Sequence, residues 1–274
     1  MRIRVRYIAS MVLLVLMSAV MIFPFIWLVR SAFMTQREIM TVPIKWLPAK
    51  LNLNNFRNAF KAAPFGIYFF NSILLAVINL TAQILSSSFI AFGFARLRFR
   101  GRGLWFALLL STMMIPYTVV MIPQFMFWKT AGVYNTFLPL IVPSFFGHAF
   151  NVFLIRQFYM GIPRDYDEAA LVDGAGYFMI YSRIIMPMAK PVLCSVGVFT
   201  FMSCWNDFIG PLLYLDKPNL KTVSLGLQIF IGQYAGQINL MMAASSVAIL
   251  PMIVIFFFAQ RYFIEGITFS GLKG

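Results

Sequence analysis

Half of the carboxylates in this sequence fall in one short polar stretch: Asp165, Asp167, Glu168 and Asp173 are four of its eight acidic residues. Carboxylates so close together could bind a metal or move protons, but the groups that usually complete such sites are scarce. There is a single histidine, His148, and there are two cysteines, Cys194 and Cys204. Placed on one helix, those cysteines lie about 15 Å apart along its axis, too far for a disulfide. Two cysteines by themselves do not make a thiolate metal site, and haem ligation by paired histidines is excluded. No Gly-rich phosphate loop with its lysine occurs, so the chain does not itself hydrolyse ATP. The expectation is therefore no catalytic residue, no metal and no cofactor held by this chain. His148 reads as a satisfied residue between helices.

The acidic stretch has the pattern of a docking element. Asp165 followed by Glu168 is a capping-box arrangement that starts a short helix, and Gly174 supplies a left-handed stop. A second short helix can run from Tyr177 to about Met186, ending before Pro187. With Ala169 and Ala170 as small side chains, such a hairpin suits a groove on another protein.

The elements that position it are read from the apolar runs. The chain has 274 residues, 61% hydrophobic and 11% charged, with mean hydropathy +0.83, against roughly 25% charged in soluble domains. A bilayer core about 30 Å thick takes about 20 apolar residues of helix. Long stretches free of charge, interrupted only once by Asp207, predict six spans near residues 8–29, 70–95, 104–124, 134–155, 191–214 and 241–262. Arg2, Arg4 and Arg6 before the first run imitate a signal peptide. That run exceeds an h-region in length and lacks a cleavage site, so it reads as a retained helix.

The net charge of +14 does not indicate nucleic acid, because the basic residues punctuate the apolar runs instead of sharing a surface. As a topology signal it places both ends in the cytoplasm: Arg2 to Arg6, Arg96 to Arg102, Arg156, Arg164, Arg183, Lys190, Arg261 and Lys273 then all face inside. Within the spans, Asn79, Gln83 and Ser86 share one helical face, as do Thr200, Ser203 and Asp207, with Asn206 beside them. Such stripes can line a hydrated path for a polar solute, or bond between helices at about 0.6 kcal/mol each. An ionised Asp207 would cost at least about 2.5 kcal/mol at mid-depth, less toward the outer end of its helix, where structural pairing accounts for it.

One constellation is specific. Glu168-Ala169-Ala170, then Gly174 six residues after Glu168, Ile184 ten further and Pro187 three after that, resembles the EAA loop of bacterial ABC importer permeases at every spacing. Met186 departs, where the family usually has leucine, a volume-conserving change. Trp205-Asn206-Asp207-Phe208 with Gly210-Pro211-Leu212, and the ending from Arg261 to Gly274, resemble the carbohydrate-uptake branch, in the subunit similar to the smaller maltose permease.

The resemblance covers nearly the whole chain and implies an all-α, six-span permease of the type I ABC importer kind. It implies one membrane domain over 1–274, with a cytoplasmic coupling loop at 156–190. It implies that Glu168, Ala169, Ala170, Gly174, Ile184 and Pro187 couple to a cleft on an ATP-binding subunit. The tail, Gly271, Lys273 and Gly274, would be a second contact at the ATPase dimer interface, or else simply frayed. The loop Thr222 to Asn239 would project toward a solute-binding protein. Implied partners are a second, homologous permease, two copies of the ATP-binding subunit that holds the ATP, an extracytoplasmic solute-binding protein and the bilayer. The rival readings are an ion-coupled secondary transporter, an ABC permease for a non-sugar substrate, and a non-transporting membrane anchor.

Overall fold

With no water in the hydrocarbon to bond them, backbone groups must be satisfied inside the chain, which favours helix wherever apolar runs are long. The computed structural model describes residues 2–232, 234 and 236–271, with side chains described for these except 2–6, 9 and 261–271. It is all-helical among the described residues. In chain order the α-helices are α1 (Arg2–Ala32), α2 (Gln36–Ile39), α3 (Asn54–Ala62), α4 (Phe65–Arg96), α5 (Arg102–Ser111), α6 (Tyr117–Thr130), α7 (Leu138–Ile141) and α8 (Ala149–Gly161). There follow α9 (Asp165–Val172), α10 (Tyr177–Met179), α11 (Met186–Met188), α12 (Lys190–Asn206), α13 (Ile209–Tyr214), α14 (Val223–Gly232), α15 (Ile238–Ala248) and α16 (Leu250–Gly271).

Four stretches are long and apolar enough to cross a membrane: Ser10–Ala32, Phe65–Arg96, Leu138–Gly161 and Ile238–Gln260. Two bent pairs bring the number to six. These differ from the straight rods expected for the third and fifth runs. Arg102–Met114 meets Tyr117–Thr130 at 96°, and Tyr177–Met188 meets Lys190–Asn206 at 78°. The first bend falls at Ile115 and Pro116, where the ring restricts the residue before it to extended backbone; Ile115 has φ −83°, ψ 114°.

The fifth run ends sooner than expected. Helix α12 stops at Asn206, and α13 is a separate turn whose Gly210 N–H is bonded by Asp207 Oδ1 at 3.0 Å. Residues 223–232, expected as loop, are the apolar helix α14.

The chain forms two compact units. In the first, α1 packs on α15, and α3 also meets α15. Asn55 is the polar centre: its amide donates to the carbonyls of Ala32 and Met34 at 2.8 and 2.7 Å and accepts from Asn239 at 2.8 Å. Arg30, buried at the end of α1, lies over the Trp27 ring at 4.3 Å and donates to the Trp46 carbonyl at 3.2 Å. The capping box expected at Asp165 is absent, because Asp165 is the first helical residue and Arg164 the cap. Thr35 and Glu38 form one at α2 instead.

The second unit holds a core of Ala91, Phe92 and Ala95 on α4, Val152, Ile155 and Tyr159 on α8, Ile180 and Ile185, and Leu193 and Val196 on α12. Small residues on α4 allow the close helix approach that membrane packing needs. Span 138–161 is interrupted: a 3₁₀ turn over Val142–Phe146 ends at Gly147, whose φ of +75° is left-handed. A Cβ there would meet Ile90 Cδ1 at 2.8 Å. Gly147→Ala is therefore expected to cost about 1–2 kcal/mol, lowering the thermal midpoint of the detergent-purified protein by several degrees. An unchanged midpoint would contradict the stated need for glycine.

Candidate functional site: a polar cavity and an exposed helical hairpin

The interruption at Gly147 leaves backbone groups that would otherwise bond along the helix. The polar stripe of α4 meets them. Ser86 Oγ donates to the Ser144 carbonyl at 3.0 Å, the His148 N–H donates to Ser87 Oγ at 3.2 Å, and Ser144 Oγ bonds Asn79 Oδ1. A broken helix at membrane depth is tolerated where protein or a cavity satisfies its backbone, and both are present here.

Beside the break lies a cavity of about 320 Å³ lined by Gln83, Ser144, His148, Asn151, Thr200 and Ser203, with the Phe150 and Phe199 rings 6.2 Å apart and Cys204 at its edge. Asn151 ties three spans together, donating to Gln83 Oε1 at 3.3 Å and Thr200 Oγ1 at 3.5 Å. Of the seven polar candidates read from sequence, the structure brings Gln83, Thr200 and Ser203 to one cavity.

Asn79 and Ser86 instead support the break. Asn206 is exposed and bonds the Met202 carbonyl at 2.9 Å, and Asp207 bonds the start of α13. His148, expected to be satisfied between helices, presents an exposed side chain at the cavity and bonds through its backbone. Ser144 and Asn151 were missed because helical periodicity does not foresee the break. The signal available was Gly147 inside an apolar run. Cys194 and Cys204 form no disulfide.

The second feature is the hairpin. Helix α9 ends in a Schellman turn: Gly174 at φ +81° donates to the Leu171 carbonyl at 3.1 Å, and Ala175 donates to that of Ala170 at 2.8 Å. The following helix runs from α10 through a π-helical stretch, Ile180–Ile185, into α11. Pro187, expected to stop it, lies inside α11, and the chain turns at Ala189. Proline removes the N–H that would bond residue 183, and the wider π turn just before it accommodates the loss.

The hairpin has two faces. Ala170, Ile180 and Ile185 are buried in the core cluster, and Ile184 packs against it. Glu168, Ala169, Gly174 and Pro187 are exposed, together with Val172 (88%) and Phe178 (71%). Tyr181, at the inner face, bonds Ser88 on α4 at 2.8 Å.

Asp167, absent from the candidates read from sequence, pairs with Arg96 at the end of α4, Oδ2 to Nη1 3.2 Å. Burial raises the Asp167 carboxyl above its ordinary range, opposed chiefly by Arg96 and then Arg164. Lys273 and Gly274 lie outside the described residues, and Gly271 closes α16.

Residues 83–268, which contain both the cavity and the hairpin, match the family described as binding-protein-dependent transport system inner membrane component. The chain belongs to this family. Similar curated proteins align nearly end to end. The arabinooligosaccharides transport system permease protein AraQ of Bacillus subtilis (strain 168) is 31% identical over 270 residues, 97% of this chain and 96% of that protein. The lactose transport system permease protein LacG of Rhizobium radiobacter is 30% identical over 249 residues, covering 91% and 90%. A chain in the crystal structure of a bacterial ABC transporter involved in the import of the acidic polysaccharide alginate matches with TM-score 0.83 over 95% of this chain and 97% of that one. At 22% identity it supports the fold alone. Membership places this inner membrane component among transport proteins, with six spans when each bent pair is taken as one.

Asn151 holds Gln83 and Thr200 in register beside the cavity. Asn151→Leu, similar in volume, is expected to lower the uptake rate about tenfold, one hydrogen bond's worth of about 1.4 kcal/mol, with little change in the amount of protein in the membrane. Uptake equal to wild type would remove Asn151 from the site.

Proposed function

We propose that this chain is the permease subunit of an ATP-driven, binding-protein-dependent importer of an oligosaccharide or related carbohydrate, working by alternating access as a single permease domain over 1–274. It sits in the bacterial cell membrane with both ends in the cytoplasm. Its partners are a second, homologous permease, two copies of an ATP-binding subunit that carries the ATP, and an extracytoplasmic solute-binding protein. The permease itself performs no chemistry.

The observation that carries this reading is the two-faced hairpin at 165–188, where the EAA-type spacing lies. Its inner face is fixed by Ala170, Ile180, Ile185 and the Asp167–Arg96 pair, while its outer face offers exposed apolar side chains at Val172, Tyr177 and Phe178. An exposed apolar patch held by a rigid support is what a protein partner buries. Glu168, Ala169 and Gly174 lie on that outer side and make the contact with the ATP-binding subunit. Ala170 and Ile184 set the hairpin on its own bundle, and Pro187 shapes its return. Gly271, Lys273 and Gly274 form a second contact.

The carbohydrate assignment draws on two supports. Relatives named for arabinooligosaccharides and lactose align along 97% and 91% of the chain. The cavity offers uncharged donors and acceptors, Gln83, Ser144, Asn151, Thr200 and Ser203, beside two aromatic rings, a combination that suits hydroxyl-rich, neutral solutes. Asn79, Ser86, Asn206 and Asp207 belong to the path as supports of its broken helices.

ATP binding can drive such a cavity from one face to the other only through contacts that differ between the two states. The hairpin supplies them. Affinity purification through this chain from gently solubilised membranes, followed by mass spectrometry, is expected to recover a Walker-motif ATPase in stoichiometric amount. No atom lies within 4 Å of a Cβ placed on Gly174, so Gly174→Val acts by straining the left-handed turn. It is predicted to release that ATPase at least tenfold more readily while leaving insertion intact. Recovery of the chain alone, with uptake undiminished, would overturn the proposal.

A further inference from the structure

The second helix of the hairpin is fixed in the core, but α9 is held to the bundle by few contacts. Of the eight residues of α9, Ala170 alone is buried. A cavity of about 560 Å³ runs beside Arg96, Arg98, Arg164, Asp167 and Tyr177, so apolar packing is thin there. What spans the gap is the Arg96–Asp167 ion pair, with side chains 3% and 15% exposed, the one salt bridge among the described residues.

The same guanidinium donates through Nη2 to the Ile162 carbonyl at 3.0 Å, just past the end of α8. Arg96 thus grips α9 and the α8 terminus at once. It is also the last residue of α4, which is unbroken for 32 residues and carries Gln83 into the polar cavity. Thirteen residue steps of helix lead from Gln83 to Arg96, a rigid distance of about 20 Å.

We propose that Arg96 and Asp167 are positioning residues for transport: their ion pair makes α9 and α4 move as one body, so that a displacement of the docked hairpin reaches the cavity at Gln83. This rests on the reading that the hairpin docks on an ATP-binding subunit. An apolar contact can slide with small loss, whereas parting these groups would strand a buried charge, so the pair resists separation. The helix then passes the displacement on, because its own hydrogen bonds keep its length fixed. Coupling between distant sites needs a discrete physical connection, and the ion pair together with α4 supplies one.

The test needs no knowledge of the solute. In the purified complex a single cysteine is placed at Ser203, with Cys194 and Cys204 replaced by alanine. Its rate of modification by a membrane-impermeant maleimide is measured without nucleotide and with a non-hydrolysable ATP analogue. The rate should change at least about fivefold on adding the analogue. In Asp167→Asn the ATP-binding subunit should remain bound, since the outer face is untouched, while the change falls to within about twofold.

Should Asp167→Asn fail to accumulate, Arg96→Gln keeps a donor for the Ile162 carbonyl but removes the cation that faces Asp167; it should accumulate and reduce the change likewise. An undiminished change in either variant, or none in the parent complex, overturns the inference. Loss of the ATP-binding subunit in Asp167→Asn also overturns it, by placing Asp167 in the dock. A parent chain that carries no ATP-binding subunit instead refutes the docking reading itself, and this inference with it.

Discussion

Every backbone polar group that leaves a helix inside a membrane must find a partner in the protein, and the second unit is arranged around one such departure. Gly147 breaks span 138–161, and the freed groups are met from α4: Ser86 takes up the Ser144 carbonyl and Ser87 the His148 N–H. The break turns Ser144 and His148 toward a cavity where an uninterrupted helix would have buried its own backbone. Polar character at this depth is thus a consequence of where one glycine stands. The same rule accounts for Asp207, whose carboxylate accepts from the N–H of Gly210 in the first turn of α13. A charge that is costly in hydrocarbon is held here by a helix terminus.

A second constraint governs the hairpin. A segment that must bind a partner needs an exposed apolar face, yet it must not peel from its own bundle. Sequence spacing resolves the conflict by helical phase. Ala170 is turned inward and small enough to lie in the core cluster, whereas Ala169 and Val172 face outward. The left-handed turn at Gly174 then sends the chain back so that Ile180 and Ile185 bury on the same side as Ala170. The buried pair of Arg96 and Asp167 closes the arrangement at the end nearest α4. Such a pair adds little net stability over apolar groups of the same size, but it fixes one geometry.

Much of this was legible in the sequence, and what was not has identifiable causes. The six apolar runs, the all-helical fold, the Gly174 turn and the family were each readable, because length of apolar run, left-handed glycine and motif spacing are local properties. The sharp bends at Ile115–Pro116 and Ala189 were not foreseen, since hydropathy is blind to direction. The apolar helix 223–232 was read as loop because the resemblance implied a projecting segment there. Asp165 looked like a cap, but the helix begins one residue earlier than that role requires. The stripe of Asn79, Gln83 and Ser86 was read as one face, and the three bond Ser144 or Asn151. That Gln83 would line a cavity while its neighbours bond a broken helix depends on α8, which lies more than fifty residues away in the chain. Asp167 escaped notice for the same reason: its partner, Arg96, comes from another helix.

The claim at the centre of this account is that ATP hydrolysis by a partner, and no ion gradient, drives solute through this chain. The most direct measurement is uptake into proteoliposomes holding this chain with its co-purified partners, with the solute-binding protein and its bound sugar supplied outside and ATP inside. Uptake that requires ATP and the solute-binding protein, and that persists when proton and sodium gradients are collapsed, is the predicted result. Uptake by this chain alone, without ATP and abolished by collapsing a gradient, would contradict it.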